Sequence, residues 1–318
     1  DEVIGGELNL GMHKKGSYIS IIDAGCCQIV PDDFNLILNA VKRWCIEKQY
    51  SFYHRKRHDG LLRNLIIRHG VRTAELLVNI VTTDFSDFDE EGFRDLILSL
   101  DTENEIVGII HTVDNNVSDA LVVDAKRILF GRDFYFEKIM GLDFKVGCLS
   151  FFQSNVAAAE RLYEYALDMI PGIEGKTVYD LYCGTGTISQ AMALKAKKVY
   201  GVEINEDAVR SAIANTEING LSNCEFICGD VLSVLDEIEE KPDIIVMDPP
   251  RAGIHPKAMK KICSYGIPEI LYISCSPRSL AVNLAQAKDY GYIPSAMQCF
   301  DNFAFTEHVE TVCLLTHS

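Results

Sequence analysis

From Thr177 to the C-terminus, short apolar runs alternate with helix-patterned segments, and few folds satisfy that rhythm. The pattern predicts strands at 177–182, 198–204, 224–228, 243–248 and 269–274, with helices at 187–195, 207–219, 231–238, 256–264 and 279–290. Strands separated by helices pair in parallel through right-handed crossovers, so the expected class is α/β, a doubly wound sheet with helices on both faces. The last two strands, 292–300 and 308–315, have no helix between them, which predicts an antiparallel pair at one edge. Ligands of such sheets sit outside the carboxyl ends of the strands.

The preceding half reads as a smaller α+β domain, giving expected domains of 1–148 and 149–318. Within it the signals are a helix at 33–47 after the cap-like Pro31-Asp32-Asp33, a hairpin of 61–68 with 75–82 turning at His69-Gly70, a helix at 89–100, and strands at 105–113 and 120–129. No apolar run approaches the roughly 20 residues of a membrane span. The start, Asp1-Glu2-Val3, carries neither an initiator Met nor a signal peptide and reads as a fragment or processed chain.

A net charge of -16 argues against a generally basic surface that grips nucleic acid. Charge is unevenly distributed, however: between Lys42 and Arg72 stand nine Lys or Arg against two acids. Arg55 and Arg57 in that stretch are candidate RNA-phosphate contacts, and a solvated face explains the same charges equally well. The 11 cysteines lack the spacing of a secreted disulfide scaffold, which favours a reducing cytoplasm, and no C-x-x-C or paired Cys/His set offers a complete zinc site.

The segment Asp180-Leu-Tyr182-Cys-Gly184-Thr-Gly186-Thr187 follows a strand and opens a helix, so its glycines permit a tight turn and close backbone approach to a ligand. Glu203 ends the next strand, where a carboxylate accepts hydrogen bonds from ribose hydroxyls, and Asp230 ends the third, in reach of an adenine amino group. A pyrophosphate fingerprint requires a third glycine where Ser189 stands, which weakens an NAD-dependent oxidoreductase reading and favours S-adenosylmethionine. Asp180 and the loop N–H groups suit the zwitterionic tail of that cofactor.

Asp248-Pro249-Pro250-Arg251 closes the fourth strand, where prolines hold the backbone extended and leave carbonyls free for a planar ring. Adenine-directed enzymes usually carry an aromatic residue after these prolines, and cytosine-directed RNA enzymes a second cysteine; neither is present, which points to uracil. Cys275, at the end of the next strand, supplies a thiolate able to add to C6 of a pyrimidine and make C5 nucleophilic. A base must then remove the C5 proton, and Glu310 is the candidate, with alternation placing His308 and Glu310 on one strand face. Taken alone, each of these features also has a plain structural reading, as a strand stop or an exposed edge pair.

In order, Phe151-Phe152-Gln153-Ser154-Asn155, Asp180 to Thr187, Asp248 to Gly253, Tyr272-Ile273-Ser274-Cys275-Ser276-Pro277 and His308-Val309-Glu310 resemble the RNA uracil-5 methyltransferase family, which acts on transfer or large-subunit ribosomal RNA. The resemblance covers essentially all of 151–318 and extends more weakly toward residue 1. It implies a Rossmann-like S-adenosylmethionine-dependent domain, Cys275 as nucleophile and Glu310 as proton acceptor. By the same resemblance Gln153, Tyr182, Thr187, Glu203 and Asp248 contact cofactor, and Gln153 and Asp248 lie beside the uracil; Arg251, after the prolines, is a further candidate on the substrate side. The implied substrate is RNA, ribosomal ahead of transfer. Departures at Ser276 and Ser279, where the family usually has Asn and Thr, put target preference in question and motivate an alternative: a catalytically impaired protein that binds cofactor and RNA. Many relatives also carry an N-terminal RNA-binding β-barrel and an iron–sulfur cluster. Cys27 resembles the fourth ligand of that cluster, while Cys26-Cys27 read equally as buried bystanders.

Overall fold

Apolar periodicity translates directly into a layered structure. The computed structural model describes residues 8–17, 20–117, 121–170 and 172–317. The chain divides into two units, 1–137 with 146–149, and 138–145 with 150–318.

In the first unit, β1 (Gly11–His13) pairs with β2 (Ile21–Asp23), followed by α1 (Asp32–Glu47), β3 (Leu62–Gly70), β4 (Glu75–Thr82), α2 (Glu90–Leu98), β5 (Glu105–Val113) and β6 (Ala125–Gly131). The sheet order is β3-β4-β5-β6, with β4 and β5 parallel through the α2 crossover and both edge pairings antiparallel. Its core is a contiguous set that includes Ile37, Val41, Leu76, Val78, Phe93, Ile97 and Ile109. The hairpin turns at 71–74 rather than at His69-Gly70, because β3 extends through Gly70 and Ala74 takes the left-handed turn conformation at φ 54°. The strand expected at 120–129 forms at Ala125–Gly131; residue 120 lies outside the described residues.

Asp32 and Asp33 do not cap α1: the N-cap is Pro31, without a side-chain hydrogen bond. The buried Asp33 carboxylate instead accepts from the backbone N–H of Glu103 and Asn104 and from the Asn104 amide at 2.9, 3.1 and 2.7 Å, fixing the turn before β5. Much of the 42–72 basic cluster is also structural. Lys42 pairs with Asp23 and Lys48 with Asp89. Arg63, stacked on Tyr53, reaches the Asp114 and Asn116 carbonyls at 2.7 and 2.6 Å, and Arg68 donates to the Cys148 carbonyl.

A short hairpin, β7 (Phe134–Ile139) and β8 (Leu142–Gly147), precedes the second unit's main elements and was not expected from the sequence. These elements are α3 (Val156–Asp168), β9 (Thr177–Leu181), α4 (Thr187–Ala193), β10 (Lys198–Glu203), α5 (Glu206–Ile218), β11 (Cys224–Cys228), α6 (Val231–Val234), β12 (Ile244–Met247), α7 (Pro256–Cys263), β13 (Glu269–Ser274), α8 (Pro277–Lys288), β14 (Tyr292–Phe300) and β15 (Glu310–His317). Sheet order is β11-β10-β9-β12-β13-β15-β14, parallel except for β15, which is antiparallel to both neighbours. The expected doubly wound sheet with an antiparallel edge pair is therefore present. β9 and β12 are fully buried along their length, as two-sided strands of a parallel sheet must be. One expectation fails: β15 starts at Glu310, so His308 is not a strand residue. The His308 N–H donates to Thr306 Oγ1 and its ring meets Phe303, and both contacts belong to the loop.

β9 and β12 run parallel, but the order in which strands are added reverses between them, because β10 and β11 lie on one side of β9 while β12 and β13 lie on the other. Such a switch point leaves a crevice at the strands' carboxyl ends, where the loops after β9 and β12 separate toward opposite faces.

Candidate active site

The loop after β9 is built for close approach. Tyr182 sits at φ 68°, a left-handed conformation a non-glycine residue rarely adopts, while its N–H is held by the Val202 carbonyl at 2.9 Å. Gly186, the N-cap of α4, has φ 77°, and a Cβ there would lie 2.5 Å from the Phe226 ring, so only glycine fits. Gly184 also takes a positive φ of 54°, and its N–H donates to Glu203 Oε2 at 3.1 Å. Glu203 Oε1 accepts from the Asn205 N–H at 2.9 Å, so both carboxylate oxygens at the end of β10 are oriented by backbone. Thr187, the first residue of α4, is buried. Asp230 caps α6 through the Leu232 N–H at 2.9 Å, a structural duty in addition to the adenine contact expected of it.

Asp180, within β9, is fully buried; its Oδ2 accepts from Ser189, while Oδ1 has no partner. Burial pushes this carboxyl up to about 7, with Ser189 opposing and the Glu203 charge reinforcing the shift. An unpartnered buried oxygen is costly unless a ligand supplies a donor. Together, the orphaned oxygen, the anchored Glu203 and the glycine turn fit a cofactor with an adenosine moiety and an amino-acid tail that carries an ammonium group. Ser189 also explains why the third glycine of a pyrophosphate fingerprint is missing: its hydroxyl is committed to Asp180.

On the opposite side of the switch point, Asp248 follows β12, and its N–H donates to the Leu181 carbonyl at 3.2 Å. Burial pushes the Asp248 carboxyl up to about 8, helped by the charges of Asp180 and Glu310. The turn that carries Arg251 is tied to α8 by Asn283. This buried amide accepts from the Ile254 N–H at 2.8 Å, donates to the Ile254 carbonyl at 2.9 Å and also accepts from the Tyr272 hydroxyl at 2.8 Å. Asn283 thus fixes the Asp248 loop relative to the segment bearing Cys275.

Cys275 occupies the single position between β13 and Ser276, the N-cap of α8, whose hydroxyl accepts from the Ser279 N–H. The family-atypical Ser276 and Ser279 are thereby engaged in helix capping; Ser279 Oγ also donates to the Ser276 carbonyl at 3.1 Å. The β13–β15 register ends with Ser274 opposite Thr311, and one step further leads to Cys275 and Glu310. Burial and the charges of Glu310 and Asp248 push the Cys275 thiol up, and Arg251 opposes them. Burial likewise raises Glu310, again against Arg251. Gln153 lies against the Tyr163 hydroxyl, and Tyr163, buried on α3, also feels Asp248, Asp180 and Glu310.

The second unit therefore brings together Gln153, Asp180, Asp248, Arg251, Cys275 and Glu310, with Glu203 beside the glycine turn. Arg55 and Arg57 lie in the first unit, on the turn at 55–58, where Arg57 Nε donates to Asp59 at 3.1 Å. Cys27 is partly buried and its backbone is clamped by the Asn35 amide at 3.1 and 2.8 Å, while Cys26 is exposed rather than a buried bystander. Among the described residues no group of three or more His, Cys, Asp or Glu is placed to hold a metal ion, so Cys27 belongs to no such group among them. Among the described residues, no helix is long and apolar enough to cross a membrane. Sequence reasoning missed Tyr163 and Asn283. Asn283 had left a signal as the polar member of the otherwise apolar face Leu280, Asn283, Ala287.

Sheet order, switch point and glycine turn define a Rossmann-like methyltransferase of the S-adenosylmethionine-dependent class, and a family model described as a methyltransferase domain matches residues 173–308. A chain from Clostridium tetani named an uncharacterized RNA methyltransferase is 46% identical over 308 residues, covering 97% of this chain and 68% of its own length. A similarly named chain from Caldanaerobacter subterraneus subsp. tengcongensis is 42% identical over 313 residues, covering 98% and 70%. The chain belongs to the RNA methyltransferase family. It is also similar in structure to the Pyrococcus abyssi tRNA (uracil-54, C5)-methyltransferase solved with S-adenosyl-L-homocysteine: TM-score 0.79, 28% identity, 93% of this chain and 70% of that one.

Proposed function

We propose that this protein transfers a methyl group from S-adenosylmethionine to C5 of a uridine in RNA, through a transient covalent bond between Cys275 and C6. The observation that carries the reading is the convergence, at one end of one sheet, of a thiol (Cys275), an elevated carboxylic acid (Asp248) and a second carboxyl (Glu310). Ribosomal RNA ahead of transfer RNA is the substrate class we assign from the sequence resemblance.

Bound cofactor supplies an electrophilic methyl group on a sulfonium centre. Asp180, the Gly184–Gly186 turn and Glu203 hold it, with the Asp180 carboxylate taking up the tail's ammonium at the oxygen that has no protein partner. Asp248 holds its proton near neutral pH and donates a hydrogen bond to a uracil carbonyl, drawing electron density from the ring. The Cys275 thiolate adds to C6, the C5–C6 π electrons move onto the ring carbonyl as an enolate, and C5 becomes the nucleophile. After methylation C5 carries both the methyl and the original hydrogen. Glu310 removes that proton, the C5–C6 double bond re-forms and the thiolate departs. Arg251 stabilises the anionic forms of Cys275 and Glu310.

Incubation with labelled cofactor and bulk bacterial RNA, followed by nucleoside analysis, tests the reading: the label should appear as 5-methyluridine. Label in any other nucleoside, or none, would sink it. A Glu310→Gln variant should form the covalent RNA adduct yet release little product, accumulating a denaturant-resistant protein–RNA band. Full turnover by that variant would remove Glu310 from the base role.

A further inference from the structure

Between β14 and β15 the chain crosses residues 301–309 before reaching Glu310, and this loop presents Phe305 with its side chain almost wholly in water, at 97% exposure. Exposed single apolar residues are common, but the backbone that carries this one is held in place. Its backbone is left-handed, φ 67°, a strained conformation for an aromatic residue. Thr306 closes a turn behind it, with the N–H and hydroxyl donating to the Phe303 carbonyl at 3.1 and 2.7 Å. At the loop's root, Asn302 is buried and its carbonyl accepts from the Asn155 amide at 2.9 Å, while the Asn155 oxygen caps α3. The loop is therefore pinned to the segment that carries Gln153 and leads directly into Glu310. A second ring, Phe151, stands 75% exposed on that same segment.

The charges of the loop narrow the choice of partner. Asp301 and Glu307 flank Phe305 and the loop has no Lys or Arg, so it is unsuited to gripping phosphates. An exposed aromatic ring on an anchored backbone, with acidic neighbours in sequence, suits the flat face of a nucleobase instead, since every base can stack and stacking needs no charge.

We propose that Phe305 is an RNA-contact residue that stacks on an unpaired base adjacent to the nucleotide in the active site. This rests on the function assigned above to Cys275 and Glu310, and it adds a requirement that the neighbouring nucleotide be single-stranded.

The test measures dissociation constants of the whole chain for dodecauridylate and for an abasic ribose-phosphate oligomer of equal length. Wild type should prefer dodecauridylate. Phe305→Ala should weaken dodecauridylate by about 5- to 150-fold, the range expected for one lost stack, and leave the abasic oligomer unchanged, while Phe305→Tyr should behave as wild type. In methyl transfer to bulk RNA, Phe305→Ala should raise KM and spare kcat. Equal affinities of wild type and Phe305→Ala for dodecauridylate, or equal losses on both oligomers, would overturn the proposal. Failure of the uracil-5 reading is distinguishable: 5-methyluridine would then be missing with every variant, while the binding comparison would still report on the stack.

Discussion

Replacing Cys275 with alanine is expected to lower methyl transfer by on the order of 10⁴-fold or more and to leave cofactor affinity unchanged. C5 of uracil is too electron-poor to attack the methyl donor unaided, so without addition at C6 no other side chain in the cluster makes C5 nucleophilic. Cofactor binding is spared because the glycine turn, Asp180 and Glu203 belong to β9 and β10, on the other side of β12 from β13. In wild type, burial together with Glu310 and Asp248 holds the thiol above its ordinary value, so little thiolate exists at neutral pH. The rate should therefore climb as pH rises from neutral, and turn over once Asp248 loses its proton at about 8. Arg251 opposes the shift, so Arg251→Ala should push the thiol higher still and move that pH profile further alkaline. Equilibrium binding of S-adenosylhomocysteine and single-turnover kinetics across pH check both statements.

Asp180→Asn is expected to weaken cofactor binding on the order of 100-fold, because a charge-assisted hydrogen bond to a buried carboxylate is lost. The same substitution should change how stability depends on pH. The folded carboxyl titrates at about 7 and the unfolded one near its ordinary value of 3.8, so between those values the folded state keeps a proton that the unfolded state has released. Stability from this group is fully present below the unfolded value and is lost as pH rises through about 7. An asparagine does not titrate, so the variant should escape a decline worth about 2 to 4 kcal/mol between mildly acidic pH and pH 8. Chemical denaturation of both proteins at pH 5 and pH 8 measures the difference. Cofactor binding to wild type should run the other way. The ammonium of its tail favours the carboxylate, so affinity should fall as pH drops below about 7, by up to about tenfold per unit.

The catalytic sheet was legible because its periodicity is strong: fully buried strands such as Ile244–Met247 are continuous apolar runs, and each helix that follows repeats at 3.6 residues. Punctuation by Gly184, Gly186 and the Pro249-Pro250 pair marked the loops that reach the crevice. Less was visible where tertiary contact overrode local signal. Asp33 looks like a helix cap in sequence, yet the turn at Glu103-Asn104, far away along the chain, recruits it. His308 alternates correctly with Glu310, but pairing begins only at Glu310 with β14 and at Thr311 with β13, and the loop turn takes His308. β1, β2 and the β7–β8 hairpin are short, and their pairing is set by neighbours rather than by pattern. Residues such as Tyr163, Asn283 and Asn302 carry no motif; their importance lies in which distant segments they join. Ser276 and Ser279, which departed from the family pattern, serve a cap that needs only a hydroxyl.

The covalent role of Cys275 is measured most directly by the mass of its peptide after Glu310→Gln has been incubated with RNA and S-adenosylmethionine and the RNA digested to nucleotides. A Cys275 peptide carrying a 5-methyl-5,6-dihydrouridine nucleotide through its sulfur is the expected result. Methylated RNA accompanied by an unmodified Cys275 at every time point would contradict it.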